Sequence, residues 1–118
     1  MIEYEPYTPE HRAELGIEPP NEFALEHAWI FDHEARAIDF PPDSVRETVM
    51  GGIGLTWSQS APPHRYAVIE CDNDGDVIVG LSIDDDRDFV PKCWEARLDM
   101  QSVFETVVRI RKFMEGIE

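Results

Sequence analysis

Between residues 66 and 83 apolar and polar side chains alternate on either side of Asn73-Asp74-Gly75, a pattern that restricts this stretch to an antiparallel hairpin. A two-residue turn at Asp74-Gly75 would set Val77, Val79 and Leu81 on the same face as Glu70 and Asp72, wasting an apolar row. A three-residue loop, with Asn73 and Asp74 in a type I turn and Gly75 left-handed as a bulge, pairs Asp72 with Asp76 instead. Ala67, Ile69, Cys71, Val77, Val79, Leu81 and Ile83 then share one face. Val68, Glu70, Asp72, Asp76, Ile78, Gly80 and Ser82 share the other. A row as apolar as the first must be covered, so at least one helix is expected across Ile69 and Val79.

The flanking sequence extends the sheet. Residues 44 to 49 read as a strand, Gly51-Gly52 as a turn, and Ile53, Leu55 and Trp57 alternate with Gly54, Thr56 and Ser58. Pro62-Pro63 marks a loop, and Cys93 to Leu98 is expected to be a short edge strand. Two helices complete the inventory. One opens with Asn21 as N-cap and runs to about Ala37, with Leu25, Ala28 and Trp29 on its apolar face and Phe23, Ile30 and Ala37 extending it. The other, capped by Asp99, spans about residues 100 to 115 with Met100, Val103, Val107, Ile110 and Met114 at helical spacing. Pro6, Pro9, Pro19 and Pro20 crowd the first twenty residues, which read as an extended arm with at most one short turn, touching the core through Tyr4, Tyr7, Leu15 and Ile17. The expected architecture is α+β in a single domain over residues 1 to 118: proline-rich arm (1–20), helix, antiparallel meander of four to five strands, C-terminal helix.

Hydrophobic residues make up 42% of the chain, including twelve aromatics, enough to build a packed core despite a net charge of −15. The acid must therefore lie on a folded surface. It is also unevenly placed. Residues 1 to 40 hold ten acids against Arg12 and Arg36, residues 70 to 88 hold eight against Arg87, and the remainder is neutral. Such a surface suits a basic partner and opposes direct binding to nucleic acid or anionic membrane. No apolar run approaches the roughly 18 residues of a membrane span, and Met-Ile-Glu-Tyr-Glu has no signal-peptide character, so the expected location is cytoplasmic. Cys71 and Cys93 fit no metal or redox spacing and read as reduced and at least partly buried. Trp29, Trp57 and Trp94 read as core.

The candidate chemistries weaken on spacing. Asp72-Asn73-Asp74-Gly75-Asp76 resembles a calcium loop only in composition, since counting from Asp72 puts Gly75 fourth and Ile83 twelfth. Asp84, Asp85, Asp86 and Asp88 lack an accompanying phosphate loop. His27 and His33 are six apart and miss the i, i+4 ligand geometry, and no nucleophile context is evident, so no metal, cofactor or catalytic residue is assigned.

The hairpin Tyr66-Ala-Val-Ile-Glu-Cys-Asp-Asn-Asp-Gly-Asp-Val-Ile-Val and the closing helix ending Phe113-Met114-Glu115-Gly116 resemble the small acidic immunity proteins of bacterial toxin systems, over residues 66 to 116. The resemblance implies a toxin-type partner and transfers no individual functional residue. The expected function is non-enzymatic recognition of a basic protein surface, as in an immunity protein, antitoxin or inhibitor. Its expected contacts are Asp72, Asp74, Asp76, Asp84, Asp85, Asp86 and Asp88, gathered in one patch. The alternatives are a DNA mimic that occupies a nucleic-acid-binding protein, and a small-ligand binder or enzyme with a pocket near Trp29, Trp57, His27 or His33.

Overall fold

The computed structural model describes residues 2–117. In chain order they form α1 (Pro9–Leu15), α2 (Glu22–Ala37), β1 (Ser44–Thr48), β2 (Gly52–Ser58), β3 (Arg65–Asp72), β4 (Val77–Ile83), β5 (Lys92–Glu95) and α3 (Met100–Met114). The strands make one antiparallel meander in the order β1-β2-β3-β4-β5, so the fold is α+β.

The central hairpin closes in the three-residue register. Cys71 pairs with Val77, Ile69 with Val79 and Ala67 with Leu81, while the Asp72 amide donates to the Asp76 carbonyl at 2.9 Å. Gly75 sits at φ 96°, the left-handed region that a side chain there would resist. Gly52 opens β2 rather than closing the preceding turn, paired with Thr48 and Asp72, and a Cβ on it would stand 2.1 Å from the Cys71 carbonyl oxygen. The apolar row of the sheet is completely buried from Ala67 to Leu81 and is covered by both long helices.

Asn21 and Asp99 cap these helices as expected, accepting from the Ala24 and Ser102 amides. The face of α2 is rotated from the expected one. Ala24, Ala28, Phe31 and Ala35 are buried, whereas Trp29 is 44% and Phe23 53% exposed. Three alanines bring the helix axis close to the sheet and leave Phe31 as the one large plug, so the bulkier neighbours are turned outward. On α3 the buried residues are Val103, Thr106, Val107, Ile110 and Phe113; Met100, at the first helical position, projects into solvent.

Other expectations are corrected. The arm holds a two-turn helix, α1, because Thr8 caps it and Pro9 occupies its first turn, where a proline loses no hydrogen bond. Ile2 and Pro20 anchor the arm, and Leu15 is exposed. The edge strand is Lys92–Glu95, since after Ala96 donates to the Val77 carbonyl the chain leaves the sheet for the Asp99 cap. Cys71 is buried and Cys93 is exposed, both as free thiols. Trp57 alone of the three tryptophans is fully buried, stacked on Phe40 at 5.5 Å.

Candidate functional site

The seven aspartates fall into two groups. Asp72 ends β3, and Asp74 and Asp76 lie on either side of Gly75; Asp84, Asp85, Asp86 and Asp88 follow the far end of β4. An extended strand separates the groups, which places Asp76 and Asp84 roughly 25 Å apart. One compact patch does not form.

The loop after β4 presents its acid in an ordered shape. Asp85 meets His64 Nδ1 at 2.6 Å, and Asp86 accepts from the Asp88 amide at 2.9 Å. The Asp84 amide reaches the His64 carbonyl at 3.4 Å, so this loop is tied to the turn before β3. All four carboxylates face solvent. At the hairpin tip, Asp74 accepts from the Asp76 amide, and both are exposed. Asp72 is half-buried on the outer face of the sheet. Desolvation first, then the charges of Glu70, Asp74 and Asp76, push its carboxyl up to about 6.

Asn73 does more than turn the chain. It accepts from the Asn21 amide and side chain at 2.9 and 2.7 Å, donates its own amide nitrogen to the Pro19 carbonyl, and its backbone amide reaches Gly51. The hairpin tip is thereby fixed to the start of α2. The arm has a second attachment. Glu47, 1% exposed, takes both Arg12 nitrogens at 2.7 Å and the Tyr7 amide at 2.9 Å, and Arg12 holds its carboxyl below the usual carboxylate range. Beside it Glu5 pairs with Arg46 and lines part of the β1 edge.

Between the two acidic ends lies the sheet face that the helices leave bare. Strand register sets Arg46, Gly54, Glu70, Ile78 and Glu95 abreast in one row, and Ser44, Thr56, Val68, Gly80 and Cys93 in the next. Tyr66 lies beyond them, 38% exposed; its hydroxyl is held above its ordinary range by desolvation and by Glu70 and Asp84. The charges of the face and of the loop thus act on one side chain.

No family model, curated protein or solved structure matches this chain. Shallow grooves of about 300 and 260 Å³ flank Trp29, one lined by Ile2 and Leu25 and the other by Leu98, Met100 and Val103. His33 stacks on the Trp29 ring at 4.8 Å. Among the described residues no three His, Cys, Asp or Glu side chains are grouped to hold a metal ion, and no helix is long and apolar enough to cross a membrane.

The burial of Glu47, the bonds from Asn73 to the start of α2 and the place of Glu95 in the outer row escape the sequence. Nothing local distinguishes Glu47 from a solvated strand residue, because its partner lies 35 positions away. Alternation alone puts Glu70 on the outer row, which signals that acid continues across the sheet.

Proposed function

We propose that this chain is a non-enzymatic, cofactor-independent recognition protein that binds a basic protein surface, in the manner of an immunity protein, antitoxin or inhibitor. The carrying observation is the loop after β4, which bears four exposed aspartates and is pinned by the Asp85 contact to His64 and by the Asp86 carboxylate accepting from the Asp88 amide, rather than left as a loose tail. Preorganised carboxylates speed association and select a complementary cationic face, at little cost in ordering on binding. The DNA-mimic alternative has less support, because a duplex presents closely repeated phosphates and the two aspartate groups stand at opposite ends of β4.

The test is affinity capture from source-cell lysate with the tagged protein beside an Asp84→Asn, Asp85→Asn, Asp86→Asn variant, washed at low and high salt. The expected result is one stoichiometric protein retained by the wild type and lost by the variant. Equal retention by both forms would remove the loop from the binding surface, and displacement of the partner by DNA would favour mimicry.

A further inference from the structure

We infer that the bare outer face of the sheet is itself the docking surface, and that its occupant is a protein surface with an apolar centre and a basic border. The inference rests on the recognition reading above and names the part of the molecule that does the recognising.

Three observations carry it. First, the face is open: α2 and α3 both pack on the opposite side, where Ile69 and Val79 are fully buried, while Val68 and Ile78 remain partly exposed. Second, its middle is flat and apolar. Gly54 and Gly80 carry no side chain, Val68 leans over Gly80, and a Cβ there would meet its methyl at 3.3 Å. A solvated sheet face is normally studded with long polar residues, and here the two middle rows hold a single one on β2 to β4, Glu70. Third, the border is acidic. Asp72 at the end of β3 and Glu95 on the edge strand project from its margins, beside Glu70 on the central strand, while Asp84 acts on Tyr66 at one end and the tip acids stand at the other. An apolar centre with a charged rim is the anatomy of a non-obligate interface.

The charge decides between occupants. The face's own cation, Arg46, is already within 3.8 Å of Glu5. A second copy laid face to face would bring carboxylates against carboxylates, whereas a basic surface would meet both groups of aspartates at once. The separation of the two acidic ends, which a single patch cannot accommodate, is what a partner spanning β4 requires.

The probe is a synthetic peptide of fourteen residues alternating Lys with Val and Tyr, beside a control with every Lys replaced by Gln. Binding is followed by amide chemical shifts of the isotope-labelled protein and by titration of three forms: wild type, Ile78→Lys, and the Asp84/Asp85/Asp86→Asn variant. Folding of Ile78→Lys is checked by its dispersed amide spectrum, with Ile78→Ser as a milder second variant. The expected result is binding of the basic peptide alone, shifts centred on Gly54, Val68, Ile78 and Gly80, and at least tenfold weaker binding by Ile78→Lys. Shifts confined to the 84–88 loop, with Ile78→Lys unchanged and the triple variant silent, would overturn the face while sparing the basic-partner reading. Failure of the Lys peptide to bind, or equal binding of the Gln control, would overturn the face's charge argument; the capture experiment tests the wider reading independently. Concentration-dependent shifts of the same amides without peptide would also overturn it, by making a second copy the occupant.

Discussion

At the scale of single residues, two carboxylates pull the pH dependence of stability in opposite directions. Asp72 is held up to about 6 in the folded chain against an ordinary value of 3.8, so the folded state binds the extra proton between those values and stability rises as pH falls through about 6. Because the residue is only half-buried, solvent screening limits the effect to about 1 kcal/mol. Asp72→Asn is therefore expected to raise Tm at pH 8 and flatten the curve between pH 6 and pH 4, in thermal melts across that range; no gain at pH 8 would contradict the desolvation of this carboxyl. Glu47 works the other way. Its value is depressed by Arg12 from an ordinary 4.5, so its contribution is complete above that value and is lost as pH falls through the lower folded value. Maximum stability is expected near pH 4.5, where most of the Asp72 gain is in place and the Glu47 loss begins. Glu47→Gln, which removes the charge from a pair whose carboxylate side is buried, is expected to cost on the order of 2 kcal/mol and to release the arm. Protease nicking between residues 2 and 20, faster in the variant than in wild type, would report that release.

At the scale of elements, what was legible followed local rules and what was hidden depended on contacts distant in sequence. Asn21 and Asp99 are capping residues whose partners lie three positions on, and both helices start where those caps stand. The Asp72-to-Asp76 loop was decidable because only one register puts Val77 and Val79 beside Ile69. Trp29 was misplaced because the 3,4 spacing admits two neighbouring faces, and Ala24, Ala28 and Ala35 won by allowing close approach to the sheet, a tertiary preference with no local signature. The proline density of the arm argues for extended chain, yet the first helical turn tolerates Pro9 and a short helix forms there. The sheet now supports a sharp contrast between adjacent outward and inward positions. Ile69→Asp strands a charge in a site with no exposure and is expected to exceed the whole stability of a small domain, leaving the chain unfolded by circular dichroism. Ile78→Asp, on the uncovered side, is expected to cost no more than about 1 kcal/mol. Equal damage from both would mean that the outer face is packed.

At the scale of the whole molecule, charge is the property that shape alone does not reveal. The chain carries −15 overall, and the seven aspartates of residues 72 to 88 stand at opposite ends of β4, with Asp76 and Asp84 roughly 25 Å apart. The total and the acidic stretch from 70 to 88 are evident in the sequence, but the division of that stretch into two ends is not, because residues 72 to 88 look contiguous until the strand between them is extended. Repulsion at that distance is felt only where the screening length is comparable. It is about 30 Å at 10 mM salt and about 8 Å at physiological ionic strength, so the ends repel each other in the first condition and are nearly independent in the second. Folding confines this charge, and the confinement opposes the compact state. Raising sodium chloride from about 10 mM to about 150 mM is therefore expected to increase Tm by about 4 °C, because relief of surface repulsion outweighs any loss at the Arg12–Glu47 pair, whose carboxylate is shielded from solvent. The Asp84/Asp85/Asp86→Asn variant, with three charges removed from one end, should start from a higher Tm at low salt and gain less on its addition. A Tm that falls with salt in wild type would mean that the ion pairs of the arm, rather than the acid of the sheet ends, dominate the electrostatics of folding.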